Sequence, residues 1–384
     1  MGERAVVVDA CRTPLARLDG GLCDLAVDDL AAEVVGALCA RVPGTVPDDV
    51  ILAAAAGPGG NPARRALLAA GVDTRVPGIT LDRQCGGGLD AVVLACRLVE
   101  AGAGRVYIAG GAESASTSPL RDTPSRDRRP GGRGFFPRRA FAPDGHDDPG
   151  MAASAEDLAR TRGLSRERQD AFAAESHARA CAAREAQRFD REIVPCSRGG
   201  SEVAVDECPR PGLTADRMAR MPPIVRRGGS VTAGNSSQIA DGAAAVLVMA
   251  ESEARARGLS GLVHRDSVTV GVEPRFPNLG AIAAARGLER RNPGFDPAAV
   301  TEVAMTEAFA AQMLATVDDL GLDPVRVNPC GGAIALGHPW GASGAIQVVR
   351  LAADLAPAGE GSGLALAAIA GGMGTAAWFE VLAP

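Results

Sequence analysis

The strongest constraint on this chain is its rhythm. Short β-like runs alternate with longer helical periods from the start: residues 4–8, 50–56, 78–81 and 105–110 read as strands, and residues 28–41, 61–70 and 85–101 as helices. Strands that alternate with helices dictate a buried sheet with helices on its faces, because parallel neighbours need a long crossover between them. After Ser114 the rhythm breaks. Residues 121–139 are rich in Arg, Pro and Gly and read as loop. Ser165 reads as the N-cap of a helix running to about Phe189, and prolines at 209–211 and 222–223 mark further loop. The middle third therefore reads as a mostly irregular and helical insertion.

The rhythm resumes at residues 241–250. Residues 280–286, 309–320 and 341–355 read as helices and 302–304 as a strand. The uncharged run 361–379 is long enough to raise a membrane span, but its five glycines favour strand, glycine turn and strand. The flanks match in size and rhythm, which implies a duplicated α/β core with an inserted loop domain. The expected division is 1–113 with 239–260, then 114–238 inserted, then 261–384.

Composition removes several functions. At 384 residues and 46% hydrophobic the chain can bury a sizeable core. A net charge of −6 and 3% aromatics argue against nucleic-acid binding. All 40 basic residues are arginine, which excludes a Schiff-base lysine and a Walker lysine. A phosphate would have to be held by arginine, backbone amides or hydroxyls. The nine cysteines and four histidines are scattered without metal-ligand spacing, so no metal is expected. Dispersed, odd-numbered cysteines, with an opening Ala5-Val6-Val7-Val8 strand instead of a signal sequence, point to a reduced cytoplasmic protein.

Two segments carry the sharpest chemical signals. In Asp82-Arg83-Gln84-Cys85-Gly86-Gly87-Gly88 an apolar strand runs into a cysteine, three glycines and a helix. A thiol at a helix N-terminus meets partial positive charge and free N–H groups, which lower its pKa. A buried structural cysteine fits that segment equally well. In Asn328-Pro329-Cys330-Gly331-Gly332 through Gly337-His338-Pro339-Trp340-Gly341-Ala342-Ser343-Gly344, five glycines surround one histidine ahead of a helix. A histidine fixed in this way suits thiol activation and donation to an oxyanion. Thr306-Glu307-Ala308-Phe309 and Ala368-Ile369-Ala370-Gly371-Gly372-Met373-Gly374 are weaker alone, reading as a helix start and a tight β-turn.

These four segments, with Val231-Thr232-Ala233-Gly234-Asn235-Ser236-Ser237 and Asp241-Gly242-Ala243-Ala244, together resemble the thiolase family over essentially the whole chain. The resemblance implies a five-layer αβαβα sandwich from two duplicated halves with an inserted loop domain, usually a homodimer or homotetramer. It implies no permanently bound cofactor, with a coenzyme A thioester as substrate. Cys85 matches the acylated nucleophile and His338 the histidine that activates it and helps form one oxyanion hole. The backbone N–H groups of Cys85 and Ala370 match the donors of the other. Arg210, Ala233, Ser237 and Met151 match positions along the CoA channel, and Phe309 belongs with this substrate-side group.

The departures matter as much. The family's second cysteine, which abstracts the α-proton, is Ala368 here. Its asparagine that positions an oxyanion-hole water is Thr306. Ala370 stands for a glycine and Gly150 for a histidine. Acylation of Cys85 keeps its parts, whereas loss of a positioned base costs about 10²–10⁴-fold. Three repairs are conceivable: a decarboxylating malonyl-type thioester, transfer to an amine, hydroxyl or thiol, or a substitute thiol, for which Cys330 is the nearest candidate in sequence. The arginines of residues 126–139 could meet CoA phosphates or an acidic carrier, although a solvated charged loop explains them as well. The expectation is an acyltransferase that forms an acyl-enzyme on Cys85 from an acyl-CoA or carrier-bound thioester, with no nucleic-acid partner and no membrane span. The alternatives are a non-catalytic thiolase-like subunit that binds a partner protein or CoA, and a thioester hydrolase.

Overall fold

The computed structural model describes residues 2–119, 140–198 and 201–382. The arginine-rich loop expected at 121–139 lies outside the described residues. The first half contains β1 (Ala5–Arg12), β2 (Ala16–Arg17), α1 (Val27–Arg41), β3 (Asp49–Ala53), α2 (Pro62–Ala69), β4 (Gly78–Leu81), α3 (Gly87–Glu100) and β5 (Val106–Glu113). The inserted segment carries α4 (Met151–Arg162), α5 (Arg166–Glu185), β6 (Cys196–Arg198), β7 (Ser201–Val203) and α6 (Ala215–Met218). Then follow β8 (Ala240–Ala250), α7 (Glu251–Ala256), β9 (Leu262–Gly271), α8 (Gly280–Arg291), β10 (Glu302–Met305), α9 (Ala310–Leu320), α10 (Ala333–Leu336), α11 (Trp340–Leu355), β11 (Ser362–Ile369) and β12 (Met373–Val381).

The duplication is visible in the strand pairing. In the first half β4, β3 and β5 are parallel, then β5–β8 and β8–β1 are antiparallel. In the second half β10 and β11 are parallel, then β11–β12 and β12–β9 are antiparallel. Val327 bridges Val303 in parallel at the place that β4 takes in the first half. A short antiparallel join, Val6–Val7 against Leu262–Val263, makes the two halves one run of strands.

Three apolar cores separate five layers. Val34, Leu38 and Leu67 of α1 and α2 pack on one face of the first half. Leu89 and Val92 of α3, with Val348 and Leu351 of α11, form the middle core between the halves. Ala284, Leu288 and Met313 of α8 and α9 cover the far face of the second half. Strand β11 shows the period of two that this requires: Ala365, Ala367 and Ile369 face the middle core, while Leu364, Leu366 and Ala368 face α8. Strand β8 is buried along its whole length, as expected for a strand covered on both faces.

The insertion is held by apolar contact and by buried charge. Leu158 and Leu164 pack on Ala311 and Leu314 of α9. Ser165 caps α5 as its sequence indicated, accepting from Arg168 N–H at 3.2 Å. The β6–β7 hairpin is a feature that the sequence reading of this segment lacked. Arg12 of β1 is fully buried and donates to Glu192 at 2.7 Å and to both oxygens of Asp206 at 2.7 and 2.9 Å. Both acids belong to the insertion, so this pairing ties it to the core. Removing one member of such a buried group strands charges that water cannot reach. Replacing Arg12 with methionine is therefore expected to destabilise the protein by about 3–5 kcal/mol, read from the denaturant midpoint of unfolding.

Candidate active site

Cys85 lies in a 3₁₀ turn, Gln84–Gly86, between β4 and α3. The turn carries backbone strain: Gln84 has φ +47°, held by Asp82, whose Oδ1 accepts from the Gln84 N–H at 2.7 Å. A side chain in this left-handed region is unfavourable and marks a site where position matters more than local comfort.

The glycines around Cys85 admit neighbouring backbone and side chains. A methyl group on Gly86 would sit 2.2 Å from Ile369 Cδ1, so only glycine lets Ile369 close over the turn. Ala370, the next residue, follows Ile369 at the turn, and the backbone N–H groups of Cys85 and Ala370 both act to lower the Cys85 thiol pKa. On the following helix, a methyl on Gly88 would sit 2.7 Å from the Gly341 carbonyl, and one on Gly344 would sit 2.3 Å from Leu89 N. Helices α3 and α11 therefore touch backbone to backbone, and the two glycine-framed segments of the sequence become one locality.

His338 occupies the gap between α10 and α11 and is buried. Its N–H donates to the Gln238 carbonyl at 2.8 Å, and its Nδ1 lies 2.6 Å from Ser343 Oγ. Burial lowers its pKa to about 4, so the ring is neutral and able to take a proton. Thr306 is buried just after β10, and its Oγ1 accepts from Gln347 Nε2 at 2.7 Å. Its hydroxyl hydrogen stays free to donate.

The expected low pKa of Cys85 is overturned. Burial pushes the thiol up to about 12, and the charges of Glu113 and Asp82 push the same way, outweighing the N–H groups of Cys85 and Ala370. Glu113 escaped the sequence reading. It is fully buried, and its carboxylate accepts from the N–H groups of Ala55 and Ala56, both at 2.9 Å, and of Gly341 at 3.1 Å. It thereby pins the start of α11. Its only sequence signal was an acid at the buried end of an apolar strand.

The substrate-side residues fall into two groups. Ser237 N–H donates to the Ala308 carbonyl at 2.9 Å, Ser236 bridges Phe309, and Ile239 bridges His338. Ser237, Phe309 and His338 thus share one strap, and Arg210 joins it through Gln238 Oε1 at 2.7 Å. Ala233 is exposed at the start of that strap. Met151 opens α4, which packs on α9, the helix that Phe309 caps. Ala368 has only a methyl to offer and packs toward α8. Cys330 is buried and sits in the electrostatic field of Arg350, Asp354, Arg188 and Glu302. Arg350 itself lies twelve residues beyond His338, about three turns along α11. Among the described residues no His, Cys, Asp and Glu cluster has the makings of a metal site, and no helix is long and apolar enough to cross a membrane.

The fold is a duplicated, five-layered α/β core that sets a cysteine at a strained strand-to-helix turn and a buried histidine ahead of two helices in backbone contact. Family comparison places this fold. Residues 5–252 match the family profile "Thiolase, N-terminal domain" and residues 262–381 match "Thiolase, C-terminal domain". The chain belongs to the thiolase family. It is 41% identical over 382 residues to a Staphylococcus haemolyticus protein provisionally named acetyl-CoA C-acetyltransferase VraB, covering 98% of this chain and 99% of the relative. Among solved structures, the Bacillus anthracis acetyl-CoA acetyltransferase superposes with a TM-score of 0.92 at 33% identity, with 99% of each chain covered. Human mitochondrial 3-ketoacyl-CoA thiolase superposes with a TM-score of 0.91 at 31% identity, again with 99% of each covered. The family supports an acyltransferase-like function.

The raised thiol pKa has a direct consequence. Alkylation follows the thiolate fraction. Cys85 in the free protein is expected to react slowly with iodoacetamide near neutrality, and its rate to climb with pH without levelling before about pH 10. Peptide mapping of the alkylated protein checks this, and a plateau near pH 8 would contradict it.

Proposed function

We propose that this protein is an acyltransferase in which Cys85 takes an acyl group from a coenzyme A or carrier-bound thioester. The observation that carries the proposal is the glycine-locked contact of α3 and α11, which sets the Cys85 turn ahead of one helix and His338 ahead of the other. In the first step the Cys85 thiol proton passes to His338 as the sulfur bonds to the thioester carbonyl carbon. The Cys85 and Ala370 N–H groups hold the developing oxyanion. The bond to the departing thiol then breaks, and His338 returns the proton to it. A neutral histidine suits the first transfer, and a thiol that is silent at rest protects the nucleophile until substrate seats.

The second step differs from ordinary thiolase chemistry. Ala368 has no proton to move, so α-proton abstraction lacks its base. The acceptor is then a nucleophile that needs no such abstraction: the enolate released by a decarboxylating malonyl-type thioester, or an amine, hydroxyl or thiol. Thr306 holds the oxyanion-hole water in place of the family's asparagine. Met151, Arg210, Ala233, Ser237 and Phe309 line the way in for the pantetheine and nucleotide, held by the segment 114–238. The relatives' names support acetyl-CoA as one donor. A cytoplasmic homodimer or homotetramer belongs to the same reading.

Intact-protein mass after mixing with acetyl-, longer acyl- and malonyl-CoA tests this. An acyl increment is expected, and it disappears in Cys85→Ala. No increment with any CoA or carrier thioester would leave a non-catalytic thiolase-like subunit, and release of free acid without an acceptor would mark a hydrolase. Putting the missing thiol back should restore the family's reaction. Ala368→Cys is expected to raise acetoacetyl-CoA thiolysis by about 10²-fold or more over the parent chain.

A further inference from the structure

The polar side chains behind His338, namely Ser343, Gln347 and Thr306, leave a hydrogen-bond account open. Ser343 and Gln347 stand four residues apart on α11 and so share a helix face. Gln347 Nε2 donates to Thr306 Oγ1 at 2.7 Å and to the Leu366 carbonyl at 2.8 Å. A carbonyl only accepts, so the orientation of this amide is fixed. Gln347 Oε1 then points elsewhere, and it is buried with no partner. An orphaned buried acceptor costs about 1–3 kcal/mol.

Ser343, Gln347 and Thr306 all line one cavity of about 40 Å³. A single water needs roughly 10–15 Å³ by the same measure, so the cavity has room for water. Its other polar walls are already engaged. Asn328 pairs both ways with the Met305 backbone at 2.9 Å, and Arg350 is bound to Glu192 and Asp354. The open positions are Gln347 Oε1 and the hydroxyl hydrogens of Thr306 and Ser343; for the Ser343 hydrogen, His338 Nδ1 is the sole neighbour at hydrogen-bonding distance among the described residues.

That hydrogen decides what His338 can do. If Ser343 donates to Nδ1, then Nε2 of the neutral ring carries the proton and cannot take one from a thiol. If Ser343 donates elsewhere, its oxygen accepts from Nδ1–H and Nε2 is a base. We propose that an ordered water in this cavity accepts from the Ser343 hydroxyl and donates to Gln347 Oε1, which locks His338 in the tautomer whose Nε2 is unprotonated. Ser343 and Gln347 are then positioning residues, and the Gln347–Thr306 pair couples the histidine to the residue that replaces the family's asparagine. The inference rests on reading Cys85 and His338 as nucleophile and base, but not on the identity of the thioester. The nearby charges do not compete for this water: Glu113 is held by Gly341 N–H, Glu307 by Ile334 N–H, Ser176 and Asn328, and Arg210 by Gln238.

A crystal structure that resolves ordered water is the first test. Density within hydrogen-bonding distance of both Gln347 Oε1 and Ser343 Oγ is expected, and a dry cavity overturns the proposal. The second is the pH profile of Cys85 alkylation by iodoacetamide in the full-length protein, which needs no thioester. Ser343→Ala and Gln347→Leu are each expected to slow it by about tenfold near pH 8, with no further loss in the double variant, because a relay acts as one unit. Ser343→Thr, which keeps the hydroxyl, restores the rate. Unchanged rates, or losses that multiply, overturn the relay. If Gln347→Leu fails to fold, the wild-type density and the Ser343→Ala and Ser343→Thr pair decide. A chain that shows the coupled profile yet takes no acyl group from any thioester refutes the proposed function and leaves the relay standing.

Discussion

The site depends on backbone contact between α3 and α11. Each half of the molecule contributes one helix to the middle layer, and the two meet at Gly88, Gly341 and Gly344 with no side chain between them. A single methyl at Gly344 would force the helices apart by more than an ångström, since it would stand 2.3 Å from Leu89 N. The nucleophile turn precedes one of these helices and the histidine precedes the other. Their separation is therefore set by the closest approach that two helices can make. Glu113 reinforces the arrangement by binding amides of the β3–α2 loop and of α11 at once.

The electrostatics follow from this packing. Excluding water from the site neutralises both the thiol and the imidazole, one pushed up to about 12 and the other down to about 4. Neither group is charged in the resting protein. Catalysis by such a pair needs a proton to pass between them as the substrate arrives, which makes the histidine tautomer more important than either resting pKa. The buried Arg12, Glu192 and Asp206 group performs a different task, holding the inserted segment against the core.

Much of the site was legible in the sequence. Cys85 and His338 each sit at a glycine run ahead of a helix and Ala370 at a glycine turn between two strands, because a glycine run is the local mark of a close approach; Thr306 stands at a strand-to-helix junction without glycine. The methyl at Ala368 was equally plain, since a residue without a polar atom declares its own incapacity. Cys330 shows the limit: its nearness to His338 in sequence says nothing of the charged neighbours, Arg350, Asp354, Arg188 and Glu302, that folding gathers around it. The thiol pKa shows another, because a helix terminus is a local signal whereas desolvation belongs to the whole site.

The sequence by itself determined the alternation of strands and helices, their duplication and the family to which the chain belongs, all of which reside in local pattern and residue type. Tertiary structure decided the rest. It alone placed Glu113 under α11, paired Gln347 with Thr306, left the Gln347 amide oxygen without a partner and shaped a cavity with room for water beside Ser343. The physical reason is that burial, orphaned hydrogen bonds and cavities belong to surfaces that meet only after folding. Gln347 and Thr306 stand 41 positions apart in the chain, and no local pattern records that they touch.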